Sequence, residues 1–532
     1  MTTIIVTVTI KCMSQLVAGQ SHITADRRRW WALAATAMTV LVIGLDTTIL
    51  NVALPDIGVN LKASSAQLQW FADSYLLTLG ALLLPAGLLG DRYGRKRFTV
   101  VGLVVFFLGS LSCAFAPTAG TLIAARTLLG VGAAVLIPLA MSSVVVLFDA
   151  AERTRAIALL GISTMVGLPL GPIVAGVLLQ HFWWGSVFVV NLPVIILALV
   201  AVLLFLPEST GPRGRPLDVV GLLLTSGSMV AATFGVIEGP ERGWGDPLVL
   251  VGLIGGAALF AAFLWWRRGD HGVEPVVDPV LWRQSAFRWG ALTAAVASLA
   301  FFGAMFVVPQ YLRGVLGQDA LGTGLRLVPM VLGLLLGLRL TMMVLPRFGA
   351  RVLGVTGFAV GTLGFLLGTR IEVDSGYGLT AAWTLLVGAG VGGALFCGQN
   401  AALAVLPRER AAAGSALVQV LRQVGSVAGI AILGALLNAA YRSSLPAGLS
   451  AGLTEALERN VATGMAVAAE SGSASLEDAV RSAFVSGLTA TMWLSAAICL
   501  LGAAIVWRYL PNSGPLAAES GDAVDVAARE HR

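Results

Sequence analysis

The sequence predicts an all-α membrane protein that crosses the bilayer fourteen times. Three observations carry this. Charged residues make up 12% of the 532 positions and apolar residues 57%, where a soluble domain carries about 25% charge. Apolar runs recur along almost the whole chain, each long enough to cross a hydrocarbon core of about 30 Å. Arg and Lys concentrate in alternate loops, as the positive-inside rule requires.

In chain order, residues 1–29 are a cytoplasmic extension. Met1–Ile10 is apolar but short, and Arg27-Arg28-Arg29 follows it rather than preceding it, unlike a secretory signal. Residues 1–25 are expected to be poorly ordered. The spans are 30–53, 67–90, 97–116, 120–147, 155–179, 186–206, 217–237, 247–266, 286–308, 322–345, 351–369, 379–405, 413–437 and 484–507. Two connections are long: a basic linker, 267–285, and a loop, 438–482, that holds Glu455, Glu458, Glu470, Glu477 and Asp478. Within that loop Leu453–Glu470 is a candidate surface helix. The tail 511–532 is polar and expected to be disordered and cytoplasmic.

With both ends inside, the inner segments hold 23 basic residues and the outer loops seven. An odd number of spans would destroy that bias. The basic pI near 9.4 therefore reflects membrane topology, and no nucleic-acid partner is expected. Cys113, Cys397 and Cys499 lie inside apolar spans and read as small buried hydrophobes. His22, His181, His271 and His531 lie in tails and loops, far from the cysteines, so no metal site is expected. No phosphate-binding lysine motif is present, which excludes a built-in ATPase. Gly388-Ala389-Gly390-Val391-Gly392-Gly393 imitates a dinucleotide fingerprint but lies inside a span with no strand before it, so it reads as helix packing.

The most informative string is Gly87–Arg97, GLLGDRYGRKR. Gly87 and Gly90 let a helix end approach a neighbour. Asp91 is an acid at the membrane boundary. Arg92, Arg95, Lys96 and Arg97 mark the cytoplasmic face. The string, with Gly94, resembles the signature loop between helices 2 and 3 of the major facilitator superfamily. Leu45–Pro55 is similar to the first-helix motif of the fourteen-span drug:proton antiporters. Arg126, Gly130 and Gly132 match the superfamily's helix 4 motif, with Leu129 where glutamine is usual. Gly167, Gly171, Pro172 and Gly176 resemble the antiporter motif of helix 5, with Ala175 replacing a glycine. Phe188–Pro193 and Leu421–Gly425 also look like family strings. The chain is thus identified as a member of this group, in the EmrB/QacA type of multidrug exporter.

The resemblance implies the major facilitator fold. One six-helix bundle occupies 30–206, and two linker helices with a basic loop occupy 207–285. The second bundle occupies 286–510. Pro346–Arg351 echoes the signature loop without its acid, as expected of a duplicated half.

Ionisable groups inside spans are expensive and usually functional. Asp46 lies about 12 Å from the outer surface, and Asp73 and Arg126 about 9 Å, at 1.5 Å per residue. The three share one layer, read either as a structural salt bridge or as a proton-coupling site. Burial raises a carboxylate's pKa and a nearby Arg lowers it, a competition that suits a proton carrier. The resemblance makes Gly87, Gly90, Asp91, Arg92, Gly94, Arg95, Lys96 and Arg97 a conformational switch, against the alternative of a surface ion pair. It also makes the helix 5 seam a barrier to proton leak. Arg339 either meets an anionic group in the cavity or pairs with a carboxylate. Glu238 reads as an interfacial acid.

The expected function is proton-driven export of amphipathic, often cationic, small molecules by alternating access. The energy source is the proton gradient and no cofactor is expected. The cavity would draw on Asp73, Trp70, Phe71 and Tyr75, with Phe301, Phe302 and Gln310 from the second half. The alternatives are a dedicated exporter of one self-made antibiotic or metabolite, and a non-transport membrane receptor or enzyme. The expected partners are small-molecule substrate, protons and lipid, in a bacterial inner membrane, with the chain as a monomer.

Overall fold

The computed structural model describes the backbone of residues 2–148, 150–210, 218–269, 282–405, 411–446, 451–459 and 473–511, with isolated positions at 273, 464–465, 467–468 and 471. Side chains are described from Arg28 onward, with exceptions that include Asp91 and Pro169. The predicted tail after Pro511 and most of the basic linker lie outside the described residues.

Long helices follow one another: α1 (Thr2–Asn60), α2 (Ser65–Tyr93), α3 (Arg95–Ala114), α4 (Ala119–Leu147), α5 (Ala150–His181), α6 (Ser186–Phe205), α7 (Val219–Arg242), α8 (Pro247–Trp266) and α9 (Ser285–Gly314). The helical stretch Ala320–Gly368 is two rods, α10 (320–348) and α11 (350–368), joined at Gly349 with φ 77° and ψ 162°. Then come α12 (Tyr377–Ala404), α13 (Ala411–Ser443) and α14 (Ala474–Tyr509). Eleven described stretches are long and apolar enough to cross a membrane. Counting Ala320–Gly368 as two and adding α2 and α5 gives the fourteen expected.

Local chemistry sets the helix starts. Ser64 and Gln67 form a capping box for α2, and Thr118 and Thr121 do the same for α4. Asp218, Asp246 and Asp319 cap α7, α8 and α10 through the backbone N–H of Gly221, Leu248 and Gly322. Several helices outrun the predicted spans. The backbone before residue 30 continues α1 as helix where a poorly ordered extension is expected. Its far end runs through Pro55 to Asn60. In the long loop Ala451–Arg459 is helical, and so are 464–465 and 467–468 within the predicted 453–470; the other positions from 460 to 470 lie outside the described residues.

Two six-helix groups result, α1–α6 and α9–α14. In the first, α1 packs on α5 and α6, and α4 packs on α2 and α3. In the second, α12 packs on α9, α10 and α11, while α13 packs on α9 and α14. Lipid supplies no hydrophobic drive between helices, so close packing of small residues must hold them. The rejected dinucleotide-like string does this. A methyl group on Gly392 would sit 2.9 Å from Leu334 Cα on α10, and one on Gly390 2.5 Å from Gly357 O on α11. The linker helix α7 packs on α8 and on both α2 and α13, so it straddles the two halves.

The face carrying Arg28 and Leu510 is termed the terminal face. The halves meet toward the opposite face. There Gly176 lies against Leu321, Gly324 against Pro172, and Gln69 against Gly434. Described polar contacts at the terminal face stay within one half. Examples are Arg29–Glu152 at 2.9 Å, Lys96 Nζ to Leu203 O at 2.7 Å, and Arg351 Nε to Leu510 O at 2.6 Å.

Candidate functional site

Five helices of the first half converge on one buried charge cluster. Asp46 (α1) is fully buried, and Arg126 (α4) and Asn191 (α6) are each 1% exposed. Arg126 Nη1 donates to Asp46 Oδ2 at 2.8 Å, and its Nε donates to Phe71 O on α2 at 3.0 Å. The guanidinium lies 4.4 Å from the Tyr75 ring centroid and 6.0 Å from that of Phe188. Asn191 Nδ2 donates to Asp46 Oδ1 at 3.1 Å and to Ser110 Oγ (α3) at 3.2 Å. A carboxylate only accepts, so the Asn191 amide must present its NH₂ group. Each Asp46 oxygen thus has a donor, which is what a desolvated ion pair needs.

Asp73 stands outside this cluster. It is fully buried, and neither carboxylate oxygen has a hydrogen-bond partner. It lies four residues after Gln69, which packs on Gly434, and seven before Gly80, which packs on Gln423. That spacing puts it on the α2 face toward α13. The sequence places Asp46, Asp73 and Arg126 in one layer; the structure pairs the first with the third and leaves Asp73 at the junction of the halves.

The Gly87–Arg97 string ends α2 and starts α3. Gly87 packs on Pro138 and Gly90 on Leu139, both on α4. Gly94 turns the chain with φ 121° and ψ 119°, and its N–H donates to Gly90 O. The basic residues reach the end of α6: Arg95 N–H to Ser209 O at 3.0 Å, Lys96 to Leu203 O, and Arg97 to Glu208 at 3.5 Å. Arg92 lies over its neighbour Tyr93. Asp91 lies outside the described side chains. In the second half the turn is Gly349, again at positive φ, and Arg351 reaches Leu510 just past α14. Gly94→Ala should cost about 1–3 kcal/mol, the scale for a side chain forced into such backbone. Its methyl would also lie 2.7 Å from Glu208 Oε1. Thermal unfolding of the purified variant checks this, and an unchanged Tm would refute it.

In α5, a methyl on Gly167 would lie 2.6 Å from Leu41 O, and one on Gly171 would overlap Thr48 Oγ1. Both close onto α1. Pro172 and Gly176 instead face α10. The motif therefore serves two seams, one within the first half and one between halves.

A sequence profile of the Major Facilitator Superfamily matches residues 36–430. The chain belongs to this superfamily. It is 34% identical over 505 residues to the multidrug efflux pump LfrA of Mycolicibacterium smegmatis, covering 93% of this chain and 99% of that one. It is 30% identical over 504 residues to the tetracenomycin C resistance and export protein of Streptomyces glaucescens, covering 92% and 93%. Among solved structures, a bacterial homolog of the human lysosomal transporter Spinster superposes with a TM-score of 0.62 at 17% identity, over 90% of this chain and 98% of that one. The last likeness concerns the fold.

The other predicted cavity residues of this superfamily member are dispersed. Phe71 and Tyr75 are buried around Arg126. Trp70 is half-buried on α2, and its Nε1 donates to Glu238 Oε1 on α7 at 3.3 Å. Glu238 also accepts from Arg242 at 2.8 Å. Phe301 and Phe302 meet edge-on on α9, with ring centroids 5.5 Å apart. Gln310 is nearly buried and donates to Phe306 O at 3.0 Å. Arg339 is exposed, beside the exposed apolar residues Leu336, Leu340 and Met343 on α10. Sequence reasoning missed Asn191 as a site residue. The signal was available: it is the one polar side chain in the span Ser186–Phe205 apart from Ser186 at its start.

Proposed function

We propose that this chain is a proton-coupled exporter of amphipathic, frequently cationic small molecules, working by alternating access. The observation that carries the reading is the buried Arg126–Asp46 pair with Asn191 on the second carboxylate oxygen. A proton on Asp46 removes the charge that Arg126 compensates. Arg126 then keeps the Phe71 carbonyl, the aromatic faces and a neutral acceptor in place of a carboxylate, so the hold between α1 and α4 weakens and the helices rearrange. Protons move inward through Asp46 as substrate moves outward. The gradient supplies the energy, without a cofactor. Asp73, buried and unpartnered at the junction of the halves, is the counter-charge for a cationic substrate. The Gly87–Arg97 string acts as the switch at the terminal face.

In this reading the terminal face is cytoplasmic, the membrane is a bacterial inner membrane, and the protein works as a monomer without enzymatic activity. The basic-residue bias motivates the topology. Ser444→Cys should react with an impermeant maleimide added to intact cells, and Ser513→Cys should not. The reverse pattern would overturn the orientation.

A second reading is a dedicated exporter of one product; the name of the Streptomyces glaucescens relative favours it. A susceptibility panel in a pump-deficient host, with and without this chain, separates the two. Protection against several unrelated cations supports the broad pump. Protection against one compound supports the dedicated exporter, and protection against none contradicts both.

A further inference from the structure

We infer that Asp56 and Arg313 form an ionic latch that holds the face opposite the termini closed, and that transport requires its release. The inference rests on the alternating-access reading and concerns residues that the superfamily motifs do not include.

Asp56 lies four residues before the end of α1, and Arg313 one residue before the end of α9. Arg313 Nη2 donates to Asp56 Oδ1 across the boundary between the halves. The other described ion pairs stay within one half or one helix. The Asp56 and Arg313 side chains are 26% and 21% exposed, and Asp56 Oδ2 is buried without a partner. Arg313 is therefore the one described side-chain group that compensates this carboxylate. The neighbouring seam is made of close backbone packing, Gly176 on Leu321 and Gly324 on Pro172. Such packing is sensitive to shape and indifferent to charge. The latch adds a directional link that opens as a unit.

Release is feasible because Arg313 also borders a hollow of about 520 Å³, lined by Leu179, Gln180, Gly317, Gln318 and Asp319. Water there can solvate the freed guanidinium, and Asp319, which caps α10, lines the same hollow. Asp56 and Arg313 are thus positioning residues for the transport cycle.

The test uses the full chain purified in detergent, with Cys12→Ser as background because Cys12 is the one cysteine outside the apolar spans. Gln69→Cys is the reporter, because Gln69 is 1% exposed and packs on Gly434 across the α2–α13 seam. Maleimide labelling of this position requires the seam to open and requires no transport. A failure here is therefore distinct from a failure of proton coupling. Asp56→Asn and Arg313→Gln should each raise the labelling rate about fivefold, the effect of losing a partly exposed ion pair. The swap Asp56→Arg with Arg313→Asp should bring the rate back toward the parent's. Unchanged rates in both single variants would overturn the latch. So would a swap that labels as fast as they do, since that places the effect in packing. If a single variant fails to fold, Arg313→Lys retains the charge and should label within about twofold of the parent.

Discussion

Asp46→Asn should abolish gradient-driven efflux of every substrate while the protein stays folded and inserted. Asparagine keeps the size of the side chain and an acceptor for Arg126, and it removes the carboxylate that the proposed cycle protonates. In the proposed cycle a neutral group occupies position 46 at each turn, since the protonated carboxyl is isosteric with the amide. Arg126 retains the Phe71 carbonyl and the Tyr75 ring. Exchange of labelled for unlabelled drug without a gradient should survive, because it needs substrate movement and no proton cycle. Asp73→Asn should differ in kind, reducing efflux of cationic compounds more than neutral ones. Efflux from proteoliposomes of one cationic and one neutral compound distinguishes the two variants. Uphill pumping of both by Asp46→Asn would place the proton site elsewhere.

Arg126→Gln should also destabilise the fold. Loss of the guanidinium leaves Asp46 buried with only Asn191 as a described donor. Removing one partner of a buried pair costs about 3–5 kcal/mol, less whatever the carboxylate recovers by taking up a proton. The double variant Asp46→Asn with Arg126→Gln removes both charges and should recover much of that loss, without recovering transport. Thermal unfolding of the two single variants and the double variant measures the coupling. Strict additivity would mean that the pair does not hold the helices together.

Much of this architecture was legible because lipid makes sequence patterns blunt. A span must be apolar throughout, so the fourteen spans stand out, and an Asp or Arg inside one is conspicuous. Asp46 and Arg126 could be placed at similar depth by counting residues, and they do pair. Depth is all that counting gives. It does not tell which face of α2 carries Asp73, and so does not separate Asp73 from a pair it does not join. Phe71 and Tyr75 neighbour Asp73 in sequence, which points to the cavity; in space they enclose Arg126. Helix ends were less legible still. α1 continues through Pro55 to Asn60, and only that continuation carries Asp56 to Arg313. An acid near the end of a span looks like an ordinary interfacial charge until its partner from the other half is seen. The same holds for Glu238, whose tie to Trp70 joins α7 to α2.

Proton movement driven by substrate is the central claim, and one measurement addresses it directly. Proteoliposomes are prepared with an acidic lumen and a trapped pH-sensitive dye, and a cationic compound that the chain protects against is added outside. The lumen should become alkaline as the compound enters, in either orientation of the protein, and the response should be absent with Asp46→Asn. Uptake of the compound with no change in luminal pH, or an equal pH change with Asp46→Asn, would contradict a proton cycle through Asp46.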